Sequence, residues 1–333
     1  MMLGMKVALD YYQANFGPYQ SKQLRIMEYP RYRSYAQSFA NTVPFSESIG
    51  FMLDIDNEKD VDLPFYITAH EVAHQWWAHQ VTEARVQGGT MLSESLAEYS
   101  ALMVMGKVYE KEKMQKFLAH ELDSYLAGRS AERKKELPLN KVENQQYIHY
   151  NKGSHVLYAL QDQIGEVNLN KALKSYLDKW NNKNLDKNGR YPITSDLIAE
   201  IRAVTPDTLK YLIADYFETI TLFDNRVEKV TSKREGNQYL VTINYSSQKL
   251  RADSLGNEKP VKLNDWVWVG VYGKGKNEKD KDKDNQLYYQ RRKITKEKGA
   301  IVVRVSEKPV KAGIDPLNLL IDRHAKDNVK EVE

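Results

Sequence analysis

The sequence of 333 residues predicts an α+β protein, mainly helical in its first part and β-rich in its second. Three observations carry this. From about residue 62 to 220, apolar positions recur at spacings of three and four, the mark of amphipathic helices. After Asp224 the pattern changes to short β-rich runs separated by turn signals such as Glu235-Gly236-Asn237 and Leu255-Gly256-Asn257. A chain of this length is, finally, most often two domains. The change of pattern sets the domains at 1–224 and 225–333.

Element by element, Leu3–Phe16 has helical spacing, and Gln23–Tyr29, Tyr35–Thr42 and Ile49–Asp54 read as strands. Helices are expected over Leu63–His79, Met91–Val108, Lys111–Ala127, Tyr147–Ile164, Leu169–Trp180, Ser195–Ala203 and Asp207–Glu218. Strands are expected at Gln238–Tyr245, Asp265–Tyr272, Gln286–Arg292, Gly299–Val305 and Asn318–Ile321. The tract Gly273–Asn285 alternates Lys and Asp with almost no apolar content, which predicts a solvated hairpin loop.

Composition narrows the function classes. Lys plus Arg at 49 against Asp plus Glu at 45 is too balanced for a nucleic-acid partner, and no Arg/Lys-rich helix appears. The absence of cysteine excludes disulfides, thiolate metal sites and a cysteine nucleophile. No apolar run approaches the roughly 18–20 residues of a membrane helix, so this segment is expected to be soluble. Met1-Met2 runs directly into a helical pattern, the expectation for a piece of a longer chain.

Residues 70–74 read HEVAH. On a helix, His70 and His74 lie one turn apart on one face, so both imidazoles can reach one ion. Glu71 stands beside them, where a carboxylate can hold a metal-activated water without ligating the metal. A catalytic zinc takes three protein ligands and an open fourth position. The next helix, MLSESLAEY, offers Glu94 and Glu98 on one face, and Gly88-Gly89 lets it fold back toward the histidines. Taken together, the two segments point to a metal site, with Glu94 as third ligand.

HEVAHQWW (His70–Trp77) and LSESLAEY (Leu92–Tyr99) closely resemble the HExxHxW and NEGxAEY blocks of gluzincin zinc aminopeptidases of the aminopeptidase N type, peptidase family M-one. Tyr11–Gln20 is similar to the segment that opens that catalytic domain, and IHYNKG (Ile148–Gly153) to the family's VxYxKG block. The resemblance implies a thermolysin-like catalytic domain followed by a β-sandwich. It implies zinc on His70, His74 and Glu94, Glu71 as general base, Tyr150 as oxyanion donor and a peptide substrate. Glu98 by the same resemblance is an acid orienting a ligand histidine; the residues alone leave a plain surface carboxylate equally open.

One departure concerns specificity. The family's G-x-M-E-N strand, whose glutamate holds the substrate's amine, is matched to Gln37–Asn41, where Ala40 stands in place of the acid. Strict aminopeptidase activity is therefore not implied. Glu47, six residues on from Asn41, has no spacing argument in its favour. His79, His149 and His155 read as ordinary polar positions, and Trp76 and Trp77 as core. The HEVAHQWW and SESLAEY variant also resembles peptidase domains joined to multispanning, permease-like segments in Bacteroidetes-type bacteria, which implies a membrane-anchored parent. Two rival readings remain: a catalytically weak peptide-binding or partner-docking domain on a peptidase scaffold, and a metal-free structural domain.

Overall fold

In a computed structural model, which describes residues 1–56, 60–275 and 284–333, the chain divides into two units, Met1–Thr219 and Ile220–Glu333. In the first, α1 (Met2–Asn15) and α3 (Leu63–Ala73) pack together, Tyr12 Oη donating to the Ala69 carbonyl at 2.9 Å. Between them in sequence, β1 (Arg25–Tyr29) and β2 (Thr42–Ser46) pair in parallel, and α2 (Glu47–Gly50) is a single turn capped by Ser46. The helices α4 (Leu96–Met105), α5 (Lys111–Ala131), α6 (Gly153–Ile164), α7 (Glu166–Trp180), α8 (Leu185–Asn188), α9 (Thr194–Val204) and α10 (Tyr211–Ile213) complete the unit.

The helix α3 starts where its chemistry says it should. Asp62 accepts from Phe65 N at 3.0 Å, satisfying one orphan amide, and Pro64 occupies the first turn. It ends at Ala73 rather than His79: the amides of Gln75 and Trp76 bond three residues back, to Val72 O and Ala73 O, and Ala78 has φ 138°, outside helical space. Trp76 and Trp77, which follow, are fully buried against Tyr12 and Phe16, with ring centroids 5.4 and 4.9 Å apart. Trp77 Nε1 donates to Ser100 Oγ at 2.9 Å, and this bond fastens the histidine segment to α4.

Two expected strands do not form. Tyr35–Thr42 makes only isolated bridges, with Gln37 N bonding Pro44 O and Tyr35 O accepting from Ser46 N of β2, and Gln75 holds its far end. Gln75 Nε2 donates to Ser38 Oγ (2.6 Å) and Phe39 O (2.8 Å), and its Oε1 accepts from Asn41 N (3.1 Å). At Ile49–Asp54 the chain turns, with the amides of Phe51 and Met52 bonding Glu47 O. Asp207–Glu218 is not one helix but a 3₁₀ turn, α10 and a wide π turn in succession.

The second unit contains two four-stranded sheets. One joins β3 (Ile220–Glu235), β4 (Gln238–Ala252), β5 (Glu258–Val261) and β8 (Lys298–Val305), with β4 central. The other runs β10 (Val329–Glu331), β9 (Lys311–Ile314), β6 (Asp265–Lys274) and β7 (Asp284–Ile294). Alternate residues face inward, as a period of two requires: Val241, Ile243 and Tyr245 from β4 share a core with Val267, Val269 and Val271 from β6. A buried ion pair, Lys249 Nζ to Asp265 Oδ1 at 2.8 Å, lies in this unit. Asn318–Ile321 is irregular rather than a strand. Most of the Lys/Asp tract, residues 276–283, lies outside the described residues. Among the described residues, no helix is long and apolar enough to cross a membrane.

Candidate active site

The first unit brings His70, His74 and Glu94 together. His70 Nε2 and His74 Nε2 lie 3.0 Å apart, and Glu94 Oε2 is 3.4 and 3.3 Å from them. Donors bound to a tetrahedral ion at 2.0–2.2 Å sit about 3.3–3.6 Å from one another, so the triangle is close to one face of such a site, with the edge between the histidines somewhat shorter. The other ring nitrogens are committed elsewhere. His74 Nδ1 is 2.9 Å from the Trp77 carbonyl, and His70 Nδ1 is 3.2 Å from Glu98 Oε1. The Trp77 carbonyl needs a donor, which turns the His74 Nε2 lone pair inward beside a carboxylate oxygen.

Two imidazole nitrogens and a carboxylate oxygen converging at these distances attract positive charge. Burial disfavours a charged His74, yet the hydrogen bond and charge of Glu94 push its imidazole up to about 9. Burial likewise works to raise Glu94, but the two histidines hold its carboxyl well below the usual range. The donor set of two imidazoles and one carboxylate is the kind zinc takes, and its geometry fits that ion.

Glu71 is 6% exposed and borders the same cleft, a cavity of about 380 Å³. Burial raises its carboxyl, against the pull of His70 and His74, and the Ser38 amide donates to it. Glu94 and Tyr150 both stand in wide π turns, Met91–Ser95 and Tyr147–Lys152, a form of helix that recurs where side chains are aimed at a site. The two turns interlock. Ser95 Oγ donates to the His149 carbonyl at 2.6 Å, and a Cβ on Gly153 would lie 2.2 Å from Ser95 Oγ. The Tyr150 ring is 6.0 Å from that of His70, with its hydroxyl in hydrogen-bonding reach of Glu94. Burial, then the carboxylates of Glu94 and Glu98, raise its phenol, so it is held as a donor.

Glu98 is buried, which excludes the surface-carboxylate reading. Behind it stands Glu121, which sequence reasoning did not single out. Glu121 Oε2 accepts from Asn151 Nδ2 and Ser154 Oγ, both at 3.0 Å, and so links α5 to the turn carrying Tyr150. Burial raises both carboxyls, and the charge of Glu121 raises that of Glu98 further. No spacing rule could have found Glu121, which sits on a separate helix 23 residues beyond Glu98.

The rim opposite the histidines is Tyr35–Ser38, not the segment around Ala40. Ala40 is exposed, and neither it nor Glu47 lines the cleft. Ala40, the residue matched to the family's acid, thus lies off the cleft, and residues 35–38, which border it, carry no acid either. His79 borders the cleft, whereas His149 and His155 are buried away from it. Glu83, also missed, lines the cleft as well.

An HExxH helix, a glutamate from the following helical segment and a phenol facing the same cleft define a metallopeptidase of the gluzincin class. The chain belongs to peptidase family M1, whose domain matches residues 4–190. It is similar to Probable aminopeptidase 1 of Sulfurisphaera tokodaii, 24% identical over 77% of this chain and 36% of that protein. It is also similar to human endoplasmic reticulum aminopeptidase 2, 26% identical over 53% of this chain and 19% of that protein. The chain thus spans about a third or less of these relatives' length. In fold it is similar to Legionella pneumophila aminopeptidase A, with a TM-score of 0.57 at 15% identity, over 96% of this chain and 34% of that one.

Proposed function

We propose that the first unit is a zinc-dependent peptidase domain of aminopeptidase type, with His70, His74 and Glu94 as ligands, Glu71 as general base and Tyr150 as oxyanion donor. The observation that carries this is the converging acceptor triangle with Glu71 beside it. Zinc held there supplies a Lewis acid for the scissile carbonyl and brings the pKa of water near 7. Glu71 takes the proton of the attacking water and returns it to the departing amine nitrogen. Tyr150 donates its O–H to the carbonyl oxygen as negative charge develops there. Glu98 holds His70 by its Nδ1 and so fixes the ring's orientation.

The named aminopeptidases among the relatives support the substrate class: short peptides with a free amino end. A membrane-anchored parent, with this piece outside the bilayer, belongs to the same proposal on the motif resemblance alone. The test is a panel of short peptides, free and N-acetylated, assayed before and after chelation and after zinc is restored. Hydrolysis lost with chelator and regained with zinc, faster on the free amines, is expected. Hydrolysis indifferent to chelation would overturn the metal reading. Zinc retention without hydrolysis of any peptide would move the domain to the peptide-binding class.

A further inference from the structure

Three carboxylates line the cleft: Glu71, Glu83 and Glu94. In the proposed function, on which the role assigned below to Glu83 depends, Glu94 and Glu71 are committed and Glu83 is left without a task. Its position is nevertheless built. The Thr82 amide donates to Asn182 Oδ1 at 3.1 Å and the Ala84 amide to the Pro192 carbonyl at 2.9 Å, so the backbone is pinned on both sides of it. Ser93 Oγ, from the residue preceding Glu94, donates to Glu83 Oε1 at 3.2 Å. The carboxylate is thereby held beside the metal-binding segment rather than left to swing into solvent, and little side-chain ordering remains when a ligand binds.

Charge points the same way. A divalent ion held there would balance the charges of Glu71 and Glu94, while among the described residues no lysine or arginine lines the cleft. One negative charge, that of Glu83, is left over. We infer that Glu83 receives a cationic group of the peptide substrate, an ammonium or guanidinium close to the scissile bond. That group is either the free amino end or a Lys/Arg side chain next to the bond cleaved, and a carboxylate pairs with both through charge-assisted hydrogen bonds.

The test compares wild type with Glu83→Gln, which keeps an acceptor for Ser93 and removes only the charge. One arm pairs free with N-acetylated peptides of equal sequence; the other pairs lysine with norleucine at the residues flanking the bond. The quantity read is the ratio of kcat/KM, cationic over neutral, which a general loss of folded protein does not change. A charged hydrogen bond contributes enough for this ratio to fall at least about tenfold in one arm, and that arm identifies the group. Ratios unchanged within about twofold in both arms would overturn the inference. Affinities of the same peptide pairs, measured calorimetrically in a Glu71→Gln background, read Glu83 without turnover. A protein that hydrolyses nothing would then count against the peptidase reading, while these affinities still decide the role of Glu83.

Discussion

Glu71→Gln lowers kcat by about 10²–10⁴-fold and leaves the metal content unchanged. The substitution preserves volume at a site only 6% exposed and keeps an oxygen for the Ser38 amide, so packing is undisturbed. It removes the one function ascribed to Glu71, acceptance of a proton. A glutamine oxygen holds a water but does not deprotonate it. Steady-state kinetics with elemental analysis of the same preparation checks both halves. A kcat within tenfold of wild type would place the base elsewhere, and loss of metal would make Glu71 a ligand.

Tyr150→Phe is expected to lower kcat by roughly 10²–10³-fold with little change in KM. The ring and its contact with His70 stay, and only the hydroxyl in reach of Glu94 is lost. Because that hydroxyl acts on charge present only during reaction, the loss belongs in kcat. A rise in KM at constant kcat would instead make Tyr150 a residue for ground-state binding.

The parts of the site that were legible are those a helix repeat encodes. His70 and His74 share a face because four residues make about one turn, and Glu94 with Glu98 repeats the same spacing one segment on. The parts that were not legible depend on folding of separate segments onto one another. Gln75, inside the HEVAHQWW block but given no role there, holds Ser38, Phe39 and Asn41 by its side-chain amide, and the cleft is bordered by Tyr35–Ser38 rather than Ala40. Glu121 and Glu83 acquire meaning only once α5 and the loop after Trp77 are brought to the histidines. The π turns at Glu94 and Tyr150 keep helical periodicity closely enough that their apolar spacing reads as ordinary helix.

Elsewhere the misreadings have local causes. β3 opens at Ile220 with four buried residues in a row, Ile220 to Phe223, so the switch to alternation shows only after Asp224. The pattern at Tyr35–Thr42 is strand-like, and the segment does bond β2 at Gln37 N–Pro44 O and Ser46 N–Tyr35 O, but the Gln75 side chain takes Phe39 O and Asn41 N and the ladder stays irregular. In both places tertiary partners decide what periodicity alone leaves open.

Zinc content of wild type and Glu94→Ala, measured by elemental analysis beside peptide hydrolysis, tests the central claim most directly. With a carboxylate removed from a three-ligand site, the account predicts about one zinc per chain in wild type, and loss of both zinc and hydrolysis in the variant. Wild-type protein that takes up no zinc on reconstitution, or a variant that keeps its zinc and its activity, would contradict it.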